Sequence, residues 1–259
     1  MTQRPLIMIH GFRGTHHGLA LIAQKLKGVT TIVPDLPGFG DGDMLHDYGL
    51  DTYVEWLHSF IAAQKISKRP DLLGHSFGSI ICAAYAKKYP TTIRRLIMVN
   101  PIGAPALEGP RAILSKIAVA YYWLGKHLPV RSGRALLSSK ASVMLMSNVM
   151  AKTKDPELRA FIHDQHLRYF SQFDSPNSVY EGFVTSISHS VRDVAAQVAT
   201  KTLLIAGDKD DITPLEKQRE LLALFPNAQL VVINGVGHLT HYETPVQVAA
   251  AVQDFIKSE

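Results

Sequence analysis

Six short apolar runs, rich in β-branched residues, punctuate the chain: Leu6 to Ile9, Thr30 to Val33, Asp71 to Leu73, Leu96 to Val99, Thr202 to Ala206 and Leu230 to Ile233. Near-continuous runs of this kind suit strands buried on both faces. Longer stretches of helical patterning separate them, near His17 to Leu26, Leu50 to Gln64, Ser79 to Lys88, Leu215 to Leu224 and Val246 to Lys257. The alternation predicts parallel βαβ units in an α/β, doubly wound, mostly parallel sheet. The last helix has a marked start, with Thr244 as N-cap and Pro245 at the first helical position.

The rhythm stops after Asn100-Pro101. Residues 102–193 have helical composition without a convincing strand, and the βα alternation resumes at Lys201. The expectation is one core domain, residues 1–101 and 194–259, carrying a helical cap insertion over 102–193. No repeat, low-complexity tract or Gly/Ser linker suggests a second independent domain.

Length and composition fit that picture, since 259 residues with 46% hydrophobic side chains can bury a substantial core. The single cysteine, Cys82, rules out an internal disulfide framework and suits a buried packing role in a reducing compartment, so a cytoplasmic location is expected. The segment from Met1 to Pro5 shows no signal-peptide order, and the uncharged run around Ile117 to Leu124 is far shorter than the roughly 20 residues a membrane span needs. A soluble protein is expected.

Formal net charge is +5, unevenly spread. Between Gly109 and Lys154 stand Arg111, Lys116, Lys126, Arg131, Arg134, Lys140, Lys152 and Lys154 with no Asp or Glu, so the rest of the chain is net negative. Three readings stay open: a solvated face, attraction to an anionic membrane, or steering of an anionic substrate. Nucleic-acid binding is not expected, because no recognition motif accompanies the charge.

Candidate chemistry begins at Gly74-His75-Ser76-Phe77-Gly78, which matches G-x-S-x-G. Chance produces that pattern in on the order of one chain in ten of this length. Position adds the weight: the motif follows the run Asp71 to Leu73 and precedes the helix from Ser79, giving the strand, tight turn and helix of a nucleophile elbow. A serine hydroxyl needs a base and an orienting acid, and both occur after later strands. Gly207-Asp208-Lys209-Asp210-Asp211 follows one, and Gly235-Val236-Gly237-His238 follows another. Loops leaving the C-terminal ends of strands are where such sheets place their sites.

These blocks, with His10-Gly11-Phe12 and Asp35-Leu36-Pro37-Gly38-Phe39-Gly40, run nearly end to end in an order that resembles the α/β-hydrolase fold family, single-domain and cap-bearing. The resemblance implies a triad of Ser76, Asp210 and His238, the acid falling three residues after the glycine closing its strand; Asp208 and Asp211 are rivals by proximity. It also implies an oxyanion hole at the backbone N–H groups of Phe12 and Phe77, with Gly11 and Gly14 letting the first loop curl toward the elbow. His10 and His75 are expected to shape loops, His16 and His17 to line the pocket mouth, and His241 to lie at the surface. The chain opens on the strand before the Phe12 loop, so the family's customary N-terminal hairpin is expected to be missing, leaving about six strands and a more exposed sheet edge.

The insertion is expected to cover Ser76. Its Tyr121, Tyr122, Trp123, Met144, Met146, Met150, Phe161, Phe170 and Phe173 are candidates for an apolar acyl pocket, with Tyr121, Trp123, Met144 and Phe170 singled out. The activity implied is hydrolysis of a carboxylic ester or thioester with an apolar acyl part, on a small-molecule or lipid-like substrate, without cofactor or metal. Serine at the elbow argues against relatives that use Asp there. Carbon–carbon bond hydrolysis and other triad chemistry stay open, as does a non-enzymatic ligand receptor.

Overall fold

A computed structural model describes residues 4–104 and 112–258. Each apolar run forms a strand: β1 Leu6–Ile9, β2 Thr31–Ile32, β3 Asp71–His75, β4 Arg95–Val99, β5 Lys201–Gly207 and β6 Ala228–Ile233. They lie in the order β2-β1-β3-β4-β5-β6 with every neighbouring pair parallel. Winding proceeds in both directions from β1, so the crevice between the exits of β1 and β3 is the switch point where such sheets bind ligands. At the edge, β2 is only two residues long and half-buried.

Three helices accompany the first strands: α1 His16–Lys25, α2 Leu50–Ala63 and α3 Phe77–Lys88. Between β4 and β5 come α4 Ala112–His127, α5 Val130–Leu137, α6 Lys140–Met150, α7 Pro156–Tyr169 and α8 Pro176–Ser188, then two 3-10 turns at Val191–Asp193 and Ala195–Gln197. The rest are α9 Leu215–Leu222, α10 Thr240–Glu243 and α11 Pro245–Lys257.

Strand periodicity splits the core into two layers. Ile7 and Ile9 pack with Leu72, Leu96 and Met98 against α2 and α3, whereas Leu6 and Met8 pack with Leu73 and Ile97 against α1 and α11. On α11, Val248, Ala249, Val252 and Phe255 form the buried stripe. Each buried Val or Phe of that stripe contributes about 1.5–3 kcal/mol. Cys82 is fully buried on α3. Thr244 stands before α11 with Pro245 at its first turn, but its hydroxyl donates to the Thr240 carbonyl and makes no cap bond, because α10 ends directly before it with that carbonyl in reach.

The five inserted helices among the described residues leave and rejoin the core at one point, where the Val191 N–H donates to the Ile102 carbonyl at 2.8 Å. A second tie joins the segment after β2 to the insertion: Gly40 N–H donates to Gln172 and Asp174 N–H to Gly38. Three basic residues of the insertion are engaged locally. Lys126 reaches Glu181 at 3.6 Å, Lys152 reaches Asp211 at 2.5 Å, and Arg134 donates to the carbonyls of Phe173 and Asp174. Arg111 lies outside the described residues.

Candidate active site

Ser76 sits at the exit of β3 with φ 51° and ψ −118°, in a region that costs an L residue on the order of 1–3 kcal/mol. The turn is fixed from both sides: Ser76 N–H donates to the Val99 carbonyl, and the Ser79 N–H and hydroxyl both donate to the Ser76 carbonyl. The flanking glycines are sterically required. A Cβ at Gly74 would meet the Gly78 carbonyl oxygen at 2.4 Å, and one at Gly78 would meet the Ile9 oxygen at 2.4 Å.

His238 leaves the end of β6 and places Nε2 2.8 Å from Ser76 Oγ. Its Nδ1 lies 2.7 Å from Asp210 Oδ2. An ionised carboxylate only accepts, so Nδ1 carries the proton and Nε2 is free to accept from the serine hydroxyl. Asp210 is 4% exposed, and hydrogen bonds saturate it. Oδ2 also accepts from Asn100 Nδ2 at 2.8 Å and Thr213 Oγ1 at 2.5 Å, while Oδ1 accepts from the backbone N–H groups of Ile212 and Thr213. Burial alone would raise its pKa, but His238 and the Thr213 donors outweigh that and hold it well below the usual carboxylate range. The rivals are committed elsewhere: Asp208 accepts from Gly235 N–H and pairs with Lys209, and Asp211 pairs with Lys152.

The loop after β1 closes beside the elbow. Gly14 N–H donates to the Gly11 carbonyl, and a Cβ on Gly11 would stand 3.2 Å from Ser76 Cβ. Phe77 opens α3, where the first amides lack intrahelical acceptors and the helix dipole is positive. Among the described residues, neither Phe77 N–H nor Phe12 N–H donates to a protein acceptor.

A cavity of about 610 Å³ opens over Ser76, bounded by the Phe12 loop, α4, α6, α7 and α10. Tyr121 and Phe170 line it, as do Tyr122, Met146 and Met150. Trp123 and Met144 do not, and the reason is helix phase. On α4 the cavity stripe is Ile117, Ala118, Tyr121 and Tyr122, which turns Trp123 outward, 49% exposed and stacked on His127. On α6 the stripe is Ser142, Leu145, Met146, Val149 and Met150, with Met144 on the opposite side. Phe161 packs edge-on to Tyr242, and Phe173 lies under the guanidinium groups of Arg13 and Arg134.

A family model described as "Alpha/beta hydrolase family" matches residues 6–251. The chain belongs to the alpha/beta hydrolase family. Among curated relatives of this hydrolase, "Lipase 3" of a Moraxella species is 28% identical over 94% of the chain and 74% of its own length. "2-hydroxymuconate semialdehyde hydrolase" of a Pseudomonas species is 28% identical over 97% of the chain and 86% of its own. Among solved structures, a thermophilic esterase from Thermogutta terrifontis superposes with a TM-score of 0.81 at 21% identity, covering 99% of this chain and 90% of that one. That likeness is one of fold.

The hydrolase's other histidines divide by environment. His10 shapes its loop, with Nδ1 donating to the Gly11 carbonyl and Nε2 accepting from Leu36 N–H. Neither His16 nor His17 lines the cavity: His16 binds Asp35, and His17 stacks on the ring of Tyr169. His241 is not at the surface. It is 6% exposed on the cavity wall, where its ring packs against His75 and beside Gly18 of α1. His75, His241 and His166 all lie along this wall, and burial lowers the pKa of each, His75 to about 3 and His166 to about 4. All three are therefore neutral at pH 7.

Asn100, Thr213 and Thr240 escaped the sequence reading. Asn100, at φ 46° directly after β4, donates to Asp210 and accepts from Thr240 Oγ1 at 2.5 Å, tying the acid loop to the base of α10. A polar residue at the C-terminal end of a buried strand was the available signal.

Proposed function

We propose that this hydrolase is a serine esterase cleaving carboxylic esters, or thioesters, with an apolar acyl portion through an acyl-enzyme. The observation that carries the reading is the line from Ser76 Oγ through His238 to Asp210, with contacts of 2.8 and 2.7 Å, opening onto an apolar cavity. As Ser76 attacks the carbonyl carbon, His238 Nε2 takes its proton and Asp210 stabilises the imidazolium. The carbonyl oxygen gains charge and accepts from the Phe12 and Phe77 N–H groups. His238 then protonates the departing alcohol, and water, activated by the same imidazole, releases the acid. The relatives named lipases support ester chemistry.

In this reading residues 102–193 form a lid whose helices supply the acyl pocket. Ile117, Leu145, Val149 and Ile212 stand 48–68% exposed around the mouth, an arrangement that suits a lipid-like substrate. Lys116, Arg131, Lys140 and Lys154 are exposed on the same insertion and would favour an anionic membrane surface. We place the protein in the cytoplasm on the strength of its single buried cysteine, a location that cell fractionation tests. Among the described residues, no helix is long and apolar enough to cross a membrane.

Turnover of p-nitrophenyl esters from acetate to laurate tests the activity. Wild type should prefer chains longer than acetate, and Ser76→Ala should be inactive; an acetate preference would remove the apolar pocket from the account. The likeness to 2-hydroxymuconate semialdehyde hydrolase supports a second reading, hydrolysis of a carbon–carbon bond by the same triad. Faster turnover of a 2-hydroxy-6-oxo-dienoate than of any ester would favour it. For the membrane, equal co-sedimentation with anionic and neutral vesicles would sink the charge argument.

A further inference from the structure

We propose that Arg13 is a positioning residue that latches the Phe12 loop to two inserted helices, so that the oxyanion donor on that loop is in register only while those helices are seated. The proposal rests on the assignment of Phe12 N–H as an oxyanion donor.

Arg13 holds φ 56°, a conformation glycine would take without strain, yet a long cationic side chain is retained there. That side chain is 1% exposed and lines the cavity over Ser76. Among the described residues no carboxylate lies within ion-pair distance of it. Two helix ends supply the counter-charge instead. Nε donates to the Phe170 carbonyl at 2.9 Å, and Nη2 donates to the Leu137 carbonyl at 2.8 Å. Leu137 is the last residue of α5 and Phe170 is the C-cap of α7, so both carbonyls lie at negative ends of helix dipoles. The guanidinium also sits over the rings of Phe170 and Phe173, 5.1 and 5.6 Å from their centres.

Nη1 makes no hydrogen bond of ordinary geometry, and the buried Tyr122 hydroxyl is a further polar group beside the guanidinium. The buried cation is thus held by two carbonyls from segments remote from each other in sequence, and losing either leaves a charge poorly compensated. Such a contact favours full seating or full release. The turn transmits the state with little slack, since Gly11 and Ser76 are already close enough that a Cβ on the glycine would stand 3.2 Å from Ser76 Cβ. Phe12, the donor, lies between that glycine and Arg13.

The test compares wild type, Arg13→Gly and Arg13→Lys. Glycine suits the turn and removes the latch; lysine keeps the charge and one carbonyl contact. On p-nitrophenyl butyrate, Arg13→Gly should lose about 10- to 100-fold in kcat with KM changed by no more than about twofold. A trifluoromethyl ketone, which becomes tetrahedral on Ser76, should bind more weakly by the same factor, and Arg13→Lys should fall between. Hydrogen exchange at the C-terminal turns of α5 and α7 should quicken in Arg13→Gly. The latch is overturned if kcat and ketone affinity fall less than tenfold, or if the loss lies in KM alone while only the melting temperature drops. Should Arg13→Gly prove insoluble, Arg13→Lys carries the same criteria with a threefold threshold. An inactive wild type, or an active Ser76→Ala, would instead remove the underlying esterase reading whatever Arg13 does.

Discussion

Replacing Asp210 by asparagine tests how the site sets the state of its base. The Oδ1 position faces two fixed backbone donors, Ile212 N–H and Thr213 N–H, so the amide oxygen must take it. The new amide group then occupies the Oδ2 position and points its hydrogens at His238 Nδ1, Asn100 Nδ2 and Thr213 Oγ1. The threonine hydroxyl can rotate to accept, but the Asn100 amide can do so only by turning over, which gives up its donation to the Gly237 carbonyl. His238 can accept only by moving its proton from Nδ1 to Nε2, which removes the lone pair that receives the Ser76 proton. The expected loss in kcat is about 10⁴-fold, or about 5.4 kcal/mol at about 1.36 kcal/mol per decade, with KM little changed. Initial rates on p-nitrophenyl butyrate at pH 7.5 measure it. Asp208→Asn and Asp211→Asn should stay within about threefold of wild type, because each parent carboxylate serves a surface contact. Asp210→Asn activity within tenfold of wild type, or a larger loss in either neighbour, would refute the assignment.

The neutral histidines of the cavity wall predict a steep acid instability. His75, His166 and His241 have pKa values lowered from 6.5, so below that value the unfolded chain binds protons that the native state refuses, and stability falls with pH down to the folded values. Three groups give a slope of up to about 4 kcal/mol per pH unit between pH 6 and 4, and urea midpoints should show it; His241→Gln should remove about a third. Asp210 adds to the loss from about pH 4 downward, since its folded pKa lies below the ordinary 3.8, so the melting-temperature gap between wild type and Asp210→Asn should narrow as pH falls through that range. Gly78→Ala drives a Cβ to 2.4 Å from the Ile9 carbonyl and should cost about 1–3 kcal/mol in thermal unfolding and abolish turnover. Met146→Trp should shift the ester preference to shorter chains, whereas Trp123→Ala should leave it unchanged; the reverse pattern would contradict the helix phases found for α4 and α6.

The strands were legible because burial on both faces leaves a run such as Leu6–Ile9 no polar alternative. The elbow was legible because Gly74 and Gly78 answer to contacts with backbone, which composition around Ser76 reflects directly. The inserted helices were not legible to the same degree. Aromatic and Met residues occur all round α4 and α6, and only the packed phase tells Tyr122 from Trp123 or Met146 from Met144. His241 read as a surface residue because its burial comes from packing against His75, more than 150 positions away. Asn100 and Arg13 act through carbonyl and carboxylate partners on other segments, a kind of contact that leaves no local pattern.

Covalent capture decides whether Ser76 is an activated nucleophile. Wild-type protein treated with a fluorophosphonate and digested for peptide mass analysis should carry one phosphonyl group on Ser76, with labelling slowed at least about 100-fold in His238→Ala. An unmodified, folded wild type, or an adduct on a residue other than Ser76, would contradict the account.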